Sequence, residues 1–159
     1  MKNLILMTLL ITLISCNKTD EPIQNGFNLD VGLEFSIINS LNEDLLDPNN
    51  PNHIDESKIK LFYVVNGETQ EVYDGNMDNP RNFMIYKHEN EYRIGIFQNT
   101  ADTEEKPITY IRWNDNDTDT IETSYERTTG AVIQRKIWLN GEQIWDWTEN
   151  QDPFFILTK

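Results

Sequence analysis

Apolar residues recur along this chain in short runs with turn chemistry between them: LEFSIIN, KIKLFYVV, TQEVY, NFMIYKH, EYRIGIFQ, ITYIRW, DTIETSYE, AVIQRKIWL, EQIWDW and FFILT. Each is rich in β-branched and aromatic residues, and no sustained helical period competes with them beyond the N-terminal segment. Asn66-Gly67 and Asn140-Gly141 each lie between two such runs. Both positions of these dipeptides tolerate positive φ, which a tight hairpin turn needs. Many strands without intervening helices predict an all-β domain, an antiparallel β-sandwich of immunoglobulin-like or related form, with a partly closed β-barrel as the alternative. The irregular stretch SLNEDLLDPNNPNHIDES is a binding loop around Asn49 to Asn52 or an excursion between sheets.

In a strand, residues two apart share a face, so hairpin register assigns core positions. With Glu89-Asn90 as a two-residue loop, FMIYKHENEYRIGIF sets Phe83 opposite Ile96, Ile85 opposite Ile94 and Lys87 opposite Tyr92. The face carrying Phe83, Ile85, Ile94 and Ile96 is the expected core. VIQRKIWLNGEQIWDW is less clear. A regular ladder around Asn140-Gly141 sets Trp138 opposite Gln143, Lys136 opposite Trp145 and Gln134 opposite Trp147, while Ile137 faces Ile144 and Arg135 faces Asp146. Two readings stay open. Either the isoleucine face is core and Trp138, Trp145, Trp147 and Lys136 form an exposed strip for stacking on sugar rings or on a protein, or the tryptophans are core and Arg135 with Asp146 is a surface pair.

The first sixteen residues follow another rule. Lys2 precedes an apolar run from Leu4 to Ile14, interrupted only by Thr8 and Thr12. That run is shorter than the ~20 residues a membrane-crossing helix needs, which fits a secretory signal. Leu13-Ile14-Ser15-Cys16 resembles the lipobox of bacterial lipoproteins, in which the cysteine is acylated and becomes the new N-terminus. The resemblance implies a signal peptide over residues 1–15, a lipidated Cys16 with a flexible tether over 16–30, and one β-sandwich domain over 31–159. Several acyl chains, at about 0.8 kcal/mol per buried methylene, hold a protein firmly on a membrane. Cys16 is the chain's one cysteine, so no intramolecular disulfide can form and the domain rests on its own core. Asn17 differs from the aspartate that retains lipoproteins in enteric inner membranes. Asp20-Glu21 partly resembles the surface-export signal of Bacteroidetes lipoproteins. The implied location is the outer membrane, on its cell-surface or periplasmic face.

Without residues 1–15 the chain carries 12 basic and 27 acidic side chains, a net charge of about −15. Such a surface repels nucleic acid and favours cations or basic proteins. Within WNDNDTDTIETSYE, Asp115, Asp117, Asp119 and Glu126 fall at positions 1, 3, 5 and 12 of a calcium loop, where alternate oxygen ligands wrap a hard cation. Thr120 stands where such a loop has glycine, and strand-like flanks replace its helices. A weak Ca²⁺ site is the candidate, against an Asp-rich hairpin turn. No other cofactor is implied beyond the lipid at Cys16.

Catalysis has little footing, since the sequence has no GxSxG elbow, no glycine-rich phosphate loop and no paired histidine motif. Segments such as NEDLLDP and IRWNDNDTDTI are similar to phrases in small cell-envelope lipoproteins of Bacteroidetes, which implies an envelope role without catalytic residues. The expected function is a membrane-anchored, non-catalytic binding module for a glycan or an envelope protein. The alternatives are a structural or assembly subunit of an envelope complex and an acidic inhibitor or immunity-type protein.

Overall fold

The computed structural model describes residues 26–101, 103–149 and 151–159. The signal peptide, Cys16 and most of the tether lie outside the described residues. Eleven strands follow in chain order: β1 (Asn28–Asp30), β2 (Gly32–Ile38), β3 (Lys60–Val65), β4 (Glu68–Glu71), β5 (Phe83–His88), β6 (Glu91–Phe97), β7 (Ile108–Asn114), β8 (Asp117–Arg127), β9 (Ala131–Leu139), β10 (Glu142–Asp146) and β11 (Phe154–Thr158). They form an all-β sandwich. One sheet of seven strands has the order β1-β9-β8-β7-β3-β4, with β10 also on β9, and a four-stranded sheet has the order β11-β2-β6-β5.

The clean alternation of β5 and β6 gives the pairing that the sequence predicts: Phe83 with Ile96, Ile85 with Ile94, Lys87 with Tyr92. Asn66-Gly67 and Asn140-Gly141 both take positive φ at the two turn positions. The sheets are mixed, a departure from the antiparallel expectation. β1 runs parallel to β9 and β11 runs parallel to β2. Asn28–Asp30 also falls inside the stretch expected to be tether. Its three residues show no apolar period, and the strand forms because Ala131–Ile133 offers a free edge beside them.

The core between the sheets has two chemistries. One part is apolar: Phe35, Ile37, Ile59, Leu61, Ile94, Ile111, Trp113, Ile121 and Ile137 are fully enclosed. Phe35 meets Trp113 edge-on at 5.9 Å and stacks on Phe155 at 4.6 Å. The long segment after β2 is an excursion that closes this core, since Leu45 and Leu46 are buried in it and Ile54 packs against it. The Asp44 carboxylate pins that excursion by accepting from the backbone N–H of Leu46 at 2.8 Å and of Tyr92 at 2.7 Å.

Towards the other ends of β7 and β8 the interior turns polar, with Gln98, Asn99, Thr109, Thr123 and Gln134 all buried. The Gln98 amide donates to Gln134 Oε1 at 2.7 Å and accepts from the Thr123 hydroxyl, while Gln134 Nε2 donates to the Gly32 carbonyl at 2.8 Å. These bonds cross between the sheets, and they offset the 1–3 kcal/mol cost of burying each amide unsatisfied.

At the apolar end a single carboxylate gathers four segments. Asp119 accepts from Trp113 Nε1 at 2.7 Å, from Asn140 Nδ2 at 2.8 Å and from the Lys159 ammonium at 2.9 Å. Burial raises its pKa, and the bonds from Asn140, Lys159 and Trp113 outweigh that and leave it below the usual carboxylate value. A depressed folded-state pKa contributes stability that is full above the unfolded value of about 3.9 and is lost as pH falls through the folded value. We expect acid destabilisation to set in below about pH 4, and Lys159→Met to cost about 2 kcal/mol at pH 7 by stranding Asp119. Urea melts of both proteins across pH check this. Equal stability at pH 7 would show that the Lys159–Asp119 contact contributes nothing.

Candidate functional site

A cavity of about 480 Å³ opens beside the polar end of the interior. Leu29 and Val31 from β1 and its continuation, Tyr63 from β3, Met77 and Asn82 from the β4–β5 connection, and Phe97 and Gln98 from the end of β6 line it. Its mouth is apolar: Leu29, Met77 and Phe97 are 54%, 56% and 45% exposed. Its base holds fixed hydrogen-bonding groups. The Tyr63 hydroxyl donates to the Phe97 carbonyl at 2.8 Å and accepts from Asn82 Nδ2 at 3.1 Å. Burial pushes the Tyr63 phenol above its ordinary pKa, so it stays a neutral donor.

Local sequence builds this mouth. Asp74 Oδ1 accepts from the backbone and side-chain nitrogens of Asn76 at 2.9 and 3.1 Å, an Asx turn that lifts Met77 outward. Asn82, at φ 55°, turns the chain back into β5 and accepts from Phe97 N–H at 2.9 Å. An apolar mouth over a few convergent polar groups is the usual chemistry of a ligand pocket. Two other concavities are more polar. One, beside Arg93, is walled by Glu34, Asp152 and Phe154, with the Arg93 guanidinium on the Phe154 ring at 4.0 Å.

The tryptophan hairpin departs from the regular ladder that its sequence suggests. β9 has an extra residue at Arg135, because Ser124 pairs with Lys136 and Tyr125 with Gln134. β10 has another at Ile144, so Trp145 faces Ile137 and Asp146 faces Lys136. The expected pairings of Lys136 with Trp145, Ile137 with Ile144 and Arg135 with Asp146 are therefore replaced. A bulge shifts the strand by one residue and so exchanges its faces. The three tryptophans separate as a result. Trp145 packs against the core and donates through Nε1 to the Gln151 carbonyl at 2.9 Å. Trp138 lies under the Lys106 ammonium at 3.8 Å, and Trp147 lies under the Arg135 guanidinium at 4.2 Å. Lys136 pairs with Asp146 at 3.1 Å. The Asp146 carboxyl is held down to about 2 by bonds from Thr148 and then by Lys136.

The acidic turn also distributes its carboxylates. Asp117 and Asp119 both hold the Lys159 ammonium, at 2.8 and 2.9 Å. Glu126 is bound by Arg135. It sits nine residues along β8 from Asp117, about 30 Å at strand rise, too far to share an ion. Asp115 occupies the β7–β8 turn. Among the described residues no group of three or more His, Cys, Asp or Glu side chains comes together to hold a metal ion.

No family model matches the chain, and no curated protein or solved structure matches it. The site is therefore read from its own residues. Sequence patterning passes over Leu29, Tyr63, Met77, Phe97 and Gln98. The available signal is Met77 alone among polar turn residues and the break in alternation where Gln98-Asn99 follows Phe97.

Trp145→Ala removes a ring packed on the core and should cost about 3 kcal/mol, whereas Trp147→Ala, at the surface, should stay within about 0.5 kcal/mol. Thermal and urea melts decide it. Similar losses in both variants would contradict the different settings of the two rings.

Proposed function

We propose that this chain is a lipid-anchored lipoprotein of the outer membrane whose β-sandwich is a non-catalytic module that holds a protein partner. The observation that carries this reading is the cavity between β1, β3 and β6, whose rim leaves Leu29, Met77 and Phe97 half exposed on an otherwise strongly acidic chain. Exposed Met and aromatic side chains around an apolar recess are the usual mark of a protein-interaction surface. A glycan is the weaker occupant. A cation already lies over one ring face at Trp138, from Lys106, and at Trp147, from Arg135, and Trp145 is turned to the core, so the three rings offer no shared stacking strip.

Anchoring rests on the lipobox Leu13-Ile14-Ser15-Cys16. Ten residues lie between Cys16 and Phe27, so this stretch spans at most about 40 Å. Leu29 is two residues further on and lines the cavity. The partner is accordingly bound within that reach of the lipid surface.

Two measurements test the reading. Cys16→Ser should abolish labelling with a fatty-acid analogue and release the protein from membranes; persistent labelling refutes the anchor. A photo-crosslinking residue at Phe97, in intact cells, should trap a discrete protein adduct that the same residue at Trp147 does not. Absence of any Phe97-specific adduct refutes the binding site.

A further inference from the structure

The charge around the same cavity narrows the partner's chemistry, an inference that rests on the protein-binding reading above. Ion pairs engage a minority of the acidic side chains: Glu34 and Glu91 with Arg93, Asp55 with Lys58, Glu56 with Arg81, Glu71 with Lys60, Glu126 with Arg135, Asp146 with Lys136, and Asp117 and Asp119 with Lys159. Asp78 lines the cavity, and Asp74 holds the turn that carries Met77. Among the described residues neither carboxylate is in an ion pair. The nearby cation, Arg127, donates to the Thr100 carbonyl at 3.2 Å and stacks over Tyr125 at 5.2 Å. An apolar recess thus carries the Asp78 carboxylate in its lining, on a chain of net charge −14.

We infer that the cavity takes an aliphatic or aromatic side chain from a cationic protein segment, with a lysine or arginine beside the inserted residue reaching Asp78. The recess supplies affinity through apolar burial, Asp78 supplies orientation, and the chain's net negative charge supplies faster encounter and rejection of acidic segments. A solvent-exposed charge contribution of this kind weakens as salt shortens the screening length.

The test uses the full lipidated chain in zwitterionic lipid nanodiscs and three fluorescent pentapeptides with glycine ends. The central triplets are lysine-leucine-lysine, lysine-serine-lysine and glutamate-leucine-glutamate. Anisotropy titrations should show the first binding at least about tenfold more tightly than either of the others, with most of its advantage over the acidic peptide lost at about 0.5 M salt. Met77→Ser and Phe97→Ser, both at exposed positions, should abolish the preference for leucine over serine. Asp78→Asn should reduce the preference for lysine over glutamate, and melting curves confirm that all three variants fold. Equal binding of the leucine and serine peptides overturns the insertion of a side chain. Equal binding of the basic and acidic leucine peptides overturns the charge preference. Binding of none of the three overturns the inference as a whole, while a Phe97-specific adduct in cells would still uphold protein binding at this site.

Discussion

The extra residue at Arg135 in β9 sets which side chains meet between the sheets. Before it, Val132 and Gln134 point inward; after it, Ile137 does, while Lys136 is exposed. Uninterrupted alternation would carry Lys136 into the interior together with Gln134, and a buried ammonium without a partner costs several kcal/mol. The bulge instead gives one strand two inward registers. The first supplies an amide to the polar seam beside the cavity, and the second supplies an aliphatic side chain to the apolar core. Arg135 itself is turned out, where it binds Glu126 and covers the Trp147 ring.

The two ends of the sandwich are consequently held by different forces. At the Asp119 end, a carboxylate bonded by Trp113, Asn140 and Lys159 ties β7, the β9–β10 turn and the residue after β11 to β8. β11 pairs only with β2, so the Lys159 bonds to Asp117 and Asp119 join this edge strand's end to the opposite sheet. At the Gln98 end, neutral amides and hydroxyls bridge the sheets. Such bonds are directional and resist sliding, whereas apolar packing alone is non-directional. The recess behind Leu29 and Phe97 can stay open because its base is held by these bonds and does not depend on filling the space with side chains.

Legibility in the sequence follows the same division. The β5–β6 hairpin is readable because alternation is unbroken and a two-residue loop fixes register, so Phe83, Ile85, Ile94 and Ile96 are assigned to the core from residue spacing alone. The β9–β10 hairpin has as clear a turn at Asn140-Gly141, yet bulges at Arg135 and Ile144 break the period on both strands. Nothing local in the sequence marks them. The acidic turn misleads for a related reason. Its cation is Lys159, about forty residues distant in the chain, and only the parallel placement of β11 brings the ammonium there. Parallel pairing needs no turn between neighbours and leaves no local trace. The cavity was invisible for the same cause, since its wall joins β1, β3 and β6 and the loop carrying Met77.

The placement of β1 connects the proposed anchor to the proposed site. A tether that leaves a domain far from its binding surface lets that surface sample a wide range of orientations, and binding must then fix the tether as well as the partner. Here the chain passes from Phe27 through Leu29, so residues at the start of the domain are themselves part of the rim. β1 has only three residues on β9, with the Asn28 N–H donating to the Gly130 carbonyl at 2.8 Å, and its burial is slight. Such a short, exposed strand is held weakly, and local opening draws on elements of this kind. A partner that seats against Leu29 would lose that contact whenever β1 detached, and would in turn hold β1 on β9. Binding at the rim and ordering of the tether's last residues are then linked, each favouring the other by the same free energy.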